Sequence, residues 1–220
     1  MWFRAAWWLT NQKNGISALG LKRLLDIGSY ETAWVCLHKL RRAMVRPGRE
    51  RLCGDVEVDE AFIGGVKRGR SGKKHKIPVA IAAEIRGDGI GRIRLKRLES
   101  ITSPDLQKFV EESIEQGSRL QTDGWRAYRV LQWRGYKHNA TDLEGHGKEA
   151  SAVYLPRVHR VAALLKRWLL GTYQGRITAK RLDRYLDEYA FRFNRRKSDK
   201  RGMLFYRLIQ QCVAIQPGSY

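Results

Sequence analysis

The sequence predicts a mixed α/β fold, because segments with strand periodicity and segments with helical periodicity follow one another in an irregular order along its 220 residues. Three strand-like stretches rich in apolar and β-branched residues come in succession, the first within RLCGDVEVDEAFIGG and the others at residues 77–85 and 92–99. A helix, a short strand that ends near Thr122, a helical run, another short strand and further helices come after them. This order indicates a mixed sheet with helices and excludes an alternating parallel barrel.

The N-terminal stretch, residues 15–46, predicts two helices. Leucines recur at helical spacing on both sides of the turn DIGS, and Ser29 is a suitable N-cap for the second helix. A helix, a short glycine-containing turn and a helix with a basic end form the pattern of a helix-turn-helix DNA-binding unit. A plain helical hairpin with a solvated basic face explains the same pattern. Pro47-Gly48 ends this segment, so we expect a first domain at 1–49.

The first strand of the predicted sheet carries acids on one face. Alternation along the strand puts Val56 and Val58 on one side. The other side carries Asp55, Glu57 and Asp59. Glu60 falls on the valine side, so it is less suited than Asp59 to share a site with the other acids.

A second acid, Asp123, stands at the end of the fourth predicted strand. Gly124 follows it and permits a sharp turn. The helix before this strand is predicted to start with Ser103 as N-cap and Pro104 at its first position. A carboxylate at the end of a strand is held by a rigid scaffold and points into open space, as metal chemistry requires. A turn or helix cap is the alternative role for Asp123.

A helix predicted from Pro156 onward carries a histidine outside its apolar stripe. His159 lies over Ala162 and Ala163, and Lys166 follows on the same face. The small alanines leave room for a metal ion and a phosphate. A structural histidine packed on a helix face explains the same arrangement.

The charge of the chain points to nucleic acid as its partner. Lysine and arginine total 43 against 22 aspartate and glutamate, which gives a formal net charge of +21. Such a charge self-repels unless a polyanion screens it. The basic run at 67–76 fits contacts with phosphates.

No apolar run approaches the length of a membrane span and the N-terminus is a poor signal peptide, so we expect a cytoplasmic protein without a membrane partner. Three widely spaced cysteines form no metal or disulfide framework.

The two acids define a candidate metal site. Asp59 and Asp123 lie on neighbouring strands if the sheet wraps back on itself, and two carboxylates there can bind Mg²⁺. Two such ions clamp the attacking and leaving oxygens of a phosphoryl displacement. A helix that crosses the sheet edge would supply a third ligand, and His159 is the candidate. A neutral imidazole adds no charge and suits softer ions, so tolerance of Mn²⁺ is expected.

The chain resembles the DDE-type insertion-sequence transposases of the ISXO-type branch. The resemblance rests on the stretches GISALGLKRLLDIGSYETAWVCLHKLRRAM, VEVDEAFIGG, QTDGWRAY, LPRVHRVAALLKRWLLGTYQG and LDEYAFRFNRRKSDKRGMLFYRL, which cover nearly the whole chain. It implies an RNase H-like (retroviral-integrase-like) core at 50–200, a C-terminal tail at 201–220, and two Mg²⁺ or Mn²⁺ ions. It also implies cleavage of DNA at the terminal inverted repeats of the element and strand transfer into target DNA. A homodimer or larger assembly in the bacterial, nucleoid-associated cytoplasm would perform the reaction.

By this resemblance Asp59 and Asp123 correspond to the first two catalytic acids. His159 occupies the third position, where many relatives carry glutamate and some subgroups carry asparagine or histidine. Fuller relatives also carry an N-terminal zinc ribbon, whereas this chain has no CxxC pair, so it looks N-terminally short. Glu144 and Glu149 are alternative third acids.

The predicted DNA contacts are Lys39, Arg41, Arg42, Arg160, Lys166, Arg195 and Arg196. Capping of the last long helix is the alternative role for Arg195 and Arg196. Two other functions fit the same sequence: a non-catalytic DNA-binding repressor, and a structure-selective nuclease that cuts DNA without joining it.

Overall fold

A computed structural model of the chain describes residues 1–46, 48–64, 76–141, 153–174 and 177–215. The strands are β1 (Asp55–Ile63), β2 (Ile77–Arg86), β3 (Gly89–Arg97), β4 (Arg119–Thr122) and β5 (Lys137–Ala140). The α-helices are α1 (Trp2–Asn11), α2 (Ala18–Leu25), α3 (Tyr30–Ala43), α4 (Ser103–Ser113), α5 (Pro156–Tyr173), α6 (Ala179–Phe193) and α7 (Arg201–Ala214). A 3-10 helix, Arg126–Arg134, connects β4 to β5.

The chain forms two compact units. The helical unit comprises Met1–Arg49, Trp168–Arg176 and Arg181–Tyr220, and the sheet unit comprises Glu50–Arg167 and Ile177–Lys180. This division differs from the predicted domains in its C-terminal part, because α6 from Arg181 onward belongs to the helical unit and not to the sheet unit. The apolar face of α6 contributes Phe191 to the same core as α1, α3 and α7.

The sheet unit contains a mixed sheet, as the sequence predicts. Its strand order is β3-β2-β1-β4-β5. Antiparallel pairing joins β3, β2 and β1, whereas β4 pairs in parallel with β1 and with β5. The chain thus returns to the free side of β1 after the hairpin and α4. This return makes β1 and β4 neighbours, which the predicted metal site requires.

Alternation along β1 separates its two faces. Val56 and Val58 are fully buried in a core with Phe109 of α4 and Tyr128 of the 3-10 helix. Glu57 and Asp59 therefore point to the opposite face, where α5 begins. The segment predicted as a helix after Asp123 is helical but winds as a 3-10 helix.

The start of α4 differs by one residue from the prediction. Thr102, and not Ser103, is the N-cap: its φ of −122° is extended, and its hydroxyl accepts a hydrogen bond from the Asp105 N–H. Pro104 consequently occupies the second helical position, where its missing N–H still costs no intrahelical bond.

The helical unit packs α1, α2, α3 and α7 around an apolar core that includes Leu9, Leu21, Leu37 and Leu208. Ser29 caps α3 as predicted, accepting a hydrogen bond from the Thr32 N–H. The helix-turn-helix pattern of α2 and α3 is therefore present as two capped helices, with α1 and α7 adding to their core.

Candidate active site

Asp59 lies on the face of β1 that meets α5. Its side chain is 17% exposed, and its Oδ2 lies 3.4 Å from Nε2 of His159. Its Oδ1 accepts a hydrogen bond of 2.7 Å from the Glu60 N–H. These contacts hold the carboxylate against the first turn of α5.

Asp123 follows the last residue of β4, at the edge where β4 runs parallel to β1. Its Oδ1 accepts a hydrogen bond of 3.1 Å from the Trp125 N–H. Gly124 has a φ of +77°, which a residue with a side chain would adopt only with strain. The turn at Gly124 and the bond from Trp125 fix the carboxylate next to the strand end, so the capping role considered for Asp123 is part of how it is held.

The acids of the site influence one another electrostatically. Burial, followed by the charges of Asp123 and Glu57, raises the pKa of Asp59 to about 7. Burial likewise raises the pKa of Glu60 to about 7, with smaller contributions from Asp59 and Asp123. A divalent cation would offset this repulsion, and carboxylate oxygens are its preferred ligands. The donor set of Asp59 and Asp123 therefore fits Mg²⁺ or Mn²⁺.

Burial lowers the pKa of the His159 imidazole, which favours its neutral form. The 3.4 Å contact with Asp59 is therefore a polar contact between a neutral ring and a carboxyl group and not a full ion pair. A neutral imidazole has a lone pair for a metal ion. The structure thus brings His159 to Asp59 in the protonation state that metal binding needs.

Glu60 points to the other face of β1, as alternation predicts. Its carboxylate accepts a hydrogen bond from the hydroxyl of Tyr128, which is fully buried in the core. Glu60 still borders the same pocket as Asp59. Glu60, a half-buried acid next to the site, is therefore held by a hydrogen bond from a tyrosine.

A pocket of about 260 Å³ adjoins Asp59 and His159. Lys76 and Lys166 contribute its positive charges, and Ala162 lines it beside His159. The small side chain of Ala162 leaves the space that the sequence pattern predicts. The pocket is of a size to admit a phosphate group, and its two lysines suit an anion.

The three predicted site residues are not gathered into a finished ligand set. Within the ranges given above, no three His, Cys, Asp or Glu side chains stand close enough together to hold a metal ion. Asp59 contacts His159, whereas Asp123 acts on both through its charge. The alternative acids Glu144 and Glu149, and residues 67–75 of the basic run, lie outside the described residues.

The prediction that Arg41 contacts DNA is wrong. Its side chain is 2% exposed, and its Nε donates to Glu188 Oε2 at 2.8 Å. Its Nη2 also donates to the hydroxyl of Tyr173. Helical periodicity places residue 41 on the face of α3 that packs inward, so the Arg41 guanidinium pairs with Glu188 inside the helical unit. Lys39 is exposed and Arg42 is half-buried.

Arg195 and Arg196 follow the end of α6 and donate to its last carbonyl groups. Arg195 Nη1 reaches the Phe191 carbonyl at 3.1 Å, and Arg196 Nη1 reaches the Phe193 carbonyl at 2.9 Å. These contacts cap the helix, because the unpaired carbonyl groups at a helix C-terminus attract cations. Arg160 and Lys166 are exposed on α5.

Two features of the sheet unit have no counterpart among the sequence-based predictions of site residues. Glu57 is fully buried, and its carboxylate binds the first turn of α5. The 3-10 helix after Asp123 exposes Trp133, at 86%, together with Arg126 and Arg129. In the sequence, basic residues interleaved with tryptophan directly after QTDG were the available signal for this second feature.

The mixed sheet, with the order β3-β2-β1-β4-β5 and helices packed on it, defines the class of the protein as an RNase H-like α/β fold. The family profile of the ISXO2-like transposase domain matches residues 51–194. The chain therefore belongs to the ISXO2-like transposase domain family.

Two solved structures share a distant similarity. One is a chain of the simian T-cell lymphotropic virus intasome in complex with PP2A regulatory subunit B56 gamma, at 11% identity and a TM-score of 0.36; the match covers 80% of this chain and 65% of that chain. The other is the pre-cleavage Mos1 transpososome, at 12% identity and a TM-score of 0.23, covering 92% of this chain and 79% of that chain. The chain thus spans about 65% of the intasome chain. No curated protein matches it significantly. Across the described residues, no helix has the length and apolarity to cross a membrane.

Proposed function

We propose that the protein is a DNA transposase of a bacterial insertion sequence. It would hydrolyse a phosphodiester at each end of the element and join the freed 3′-hydroxyl groups to target DNA. The observation that carries this proposal is the parallel pairing of β1 with β4, which supports a shared site for Asp59 and Asp123. Membership of the transposase domain family supports the same function.

Asp59 and Asp123, with His159, would hold two Mg²⁺ or Mn²⁺ ions. When bound, such ions polarise the phosphodiester and supply a water nucleophile at neutral pH. The carboxylates would bind the cations, and Lys166 would hold a phosphate oxygen in the pocket beside them. Because the nucleophiles are water and the 3′-hydroxyl, no serine or tyrosine of the chain is assigned a covalent role.

Each unit offers cations that DNA could contact. Lys39 and Arg42 of α3 and Arg160 of α5 are candidates for contacts with phosphates. The exposed side of the 3-10 helix adds a surface next to Asp123, with Trp133 available to stack on an unpaired base. Joining two ends requires at least a dimer, in the bacterial cytoplasm.

Cleavage and strand transfer on a plasmid that carries the inverted repeats flanking the coding sequence test the proposal. We expect products with Mg²⁺ and with Mn²⁺, and a loss of at least about a thousandfold in Asp59→Asn and Asp123→Asn, equivalent to roughly 4 kcal/mol in the barrier. Asp55→Asn is the matched control, because Asp55 lies on the same strand but pairs with Arg119. Its activity should stay within about threefold of wild type, equivalent to less than about 1 kcal/mol.

Other outcomes identify other functions. Cleavage that survives in Asp59→Asn contradicts the assigned site. Cleavage without joined products indicates the nuclease, and specific DNA binding without any cleavage by the wild type indicates the repressor.

A further inference from the structure

Both carboxylate oxygens of Glu57 accept hydrogen bonds from the first turn of α5. Its Oε2 accepts hydrogen bonds from the N–H groups of Arg157, at 2.7 Å, and Val158, at 2.9 Å. Its Oε1 accepts a third from Nη1 of Arg157 at 3.0 Å. The first N–H groups of a helix have no partner within the helix. Glu57 therefore caps α5 from the middle of the sheet.

Each end of this contact lies two residues before a residue of the candidate active site. Glu57 precedes Asp59 on the same face of β1, because strand side chains alternate. Arg157 precedes His159 within the first turn of α5. The bonds therefore join the two backbones directly beside the place where Asp59 Oδ2 and His159 Nε2 lie 3.4 Å apart.

Arg157 adds a second attachment. Its Nε donates to the Gly89 carbonyl at 3.1 Å, and its Nη2 donates to the Gly87 carbonyl at 2.9 Å. Both carbonyls lie where β2 turns into β3. The start of α5 is thus tied to the central strand through Glu57 and to the hairpin through Arg157, which leaves little freedom for its first turn.

A buried contact between an arginine and a glutamate is an inefficient way to stabilise a fold. Taking two charges out of water costs several kcal/mol, and apolar residues of similar volume often stabilise a fold equally well. Fixed geometry is what a bidentate arginine–carboxylate contact adds. Metal sites need this precision, because the residues that orient ligands affect affinity by roughly 10–100-fold.

We propose that Glu57 and Arg157 are positioning residues that set the placement of His159 relative to Asp59 and thereby the metal affinity of the site. This inference rests on the proposed function, since it concerns the same metal site. Glu57 itself binds no metal in this proposal, because its oxygens are occupied by α5.

Glu57→Gln and Arg157→Ala test the proposal. Glu57→Gln keeps one acceptor oxygen but turns an NH₂ group toward N–H donors, whereas Arg157→Ala keeps both backbone bonds and removes only the guanidinium contacts. Glu84→Gln is the matched control. Glu84 is a buried carboxylate on β2 that also accepts from backbone N–H groups, of Arg92 and Cys53, and from the Arg92 guanidinium; within the described part of the chain, none of these hydrogen bonds involves α5.

The measurements are Mn²⁺ binding to the DNA-free protein by electron paramagnetic resonance, the Mg²⁺ concentration that half-saturates cleavage, and the melting temperature. We expect Glu57→Gln to weaken Mn²⁺ binding and raise the Mg²⁺ half-saturation by about tenfold or more, with a smaller shift in Arg157→Ala. Glu84→Gln should lower the melting temperature while leaving both metal readouts within about twofold of wild type.

Equal metal affinity in Glu57→Gln and Glu84→Gln would overturn the positioning role and leave the transposase proposal intact. If Glu57→Gln does not fold, Arg157→Ala decides, and unchanged Mn²⁺ binding in that variant overturns the role. A wild-type protein that neither binds Mn²⁺ nor cleaves DNA would overturn the proposed function and this inference together.

Discussion

Asp59 and His159 come from the first strand of the sheet and the first turn of α5, and their Oδ2 and Nε2 atoms lie 3.4 Å apart. The neutral imidazole supplies a ligand without charge beside a carboxyl group that is buried next to two other acids. The site therefore differs in one unit of negative charge from one with three carboxylates, and this difference can be measured.

Exchange of His159 should alter the metal preference of the site. We expect His159→Ala to raise the Mg²⁺ half-saturation of cleavage by about tenfold, and His159→Glu to lower it while reducing the preference for Mn²⁺, because a carboxylate adds charge and is a harder ligand. Titrations of cleavage with each metal measure both effects. Unchanged metal dependence in His159→Ala would remove the histidine from the site and direct attention to Glu144 and Glu149.

The buried pair of Arg41 and Glu188 should dominate the stability of the helical unit. Glu188→Ala leaves the Arg41 charge without its partner, so we expect a loss of about 3–5 kcal/mol in the free energy of unfolding. Urea denaturation measures this loss. Arg184→Ala is the control on the same helix: its 3.5 Å pair with Asp187 is partly exposed and should contribute less than about 1 kcal/mol. Similar losses in both variants would contradict the special role of the buried pair.

Stability should depend on pH through His38. Burial, followed by the charge of Arg41, lowers the pKa of this histidine from 6.5 to about 3. The unfolded chain therefore binds a proton at His38 below about pH 6.5, whereas the folded protein binds it only near pH 3. The free energy of unfolding consequently falls as the pH is lowered through this window. The slope is at most about 1.4 kcal/mol per pH unit.

His38→Gln removes the titrating group and should flatten this dependence. The measurement is the difference in the free energy of unfolding between wild type and variant from about pH 4 to about pH 7, because this difference cancels the contributions of the carboxyl groups. A constant difference over this range would show that His38 does not carry the effect.

Lys39 and Arg42 should act on DNA binding, whereas Arg41 should act on folding. We expect Lys39→Ala and Arg42→Ala each to weaken binding and to reduce the slope of log affinity against log salt by about 1. Lys108→Ala, which removes the same charge from an exposed position on α4, is the control. Arg41→Ala should lower the melting temperature, and any weakening of DNA binding in this variant should follow from its loss of folded protein. An unchanged salt slope in Lys39→Ala and Arg42→Ala would favour the plain helical hairpin.

Trp133 should favour DNA with unpaired bases. Because stacking on an aromatic ring contributes about 1–3 kcal/mol per base, we expect Trp133→Ala to weaken binding of frayed or single-stranded ends by at least about fivefold, with less effect on blunt duplex. Fluorescence anisotropy with the two probes measures the difference. Trp7→Ala, which removes another exposed tryptophan near the N-terminus, is the control. If Trp133→Ala weakens the binding of both DNA probes equally, Trp133 does not stack on unpaired bases, and the 3-10 helix would contact DNA through its charges alone.

The local pattern of the sequence determined the elements of the site. Alternation in VEVDE separates Val56 and Val58 from Asp59, the glycine after Asp123 marks the strand end, and His159 stands outside the apolar stripe of α5. These features depend on periodicities of two and 3.6 residues, which a linear sequence displays directly. For the same reason the mixed α/β class could be predicted from the order of the segments.

Only the tertiary structure decided what each charge contacts. Arg41 and Arg42 are adjacent in one helix, yet one is sealed against Glu188 and the other reaches the surface. Glu57 lies on the same face of β1 as Asp59, but its oxygens accept hydrogen bonds from the first turn of α5. Burial is a property of the packed neighbours, which come from distant parts of the chain. The sequence therefore identified the residues that carry charge, and the fold determined which of them hold the structure together and which remain candidates for contacts with metal and DNA.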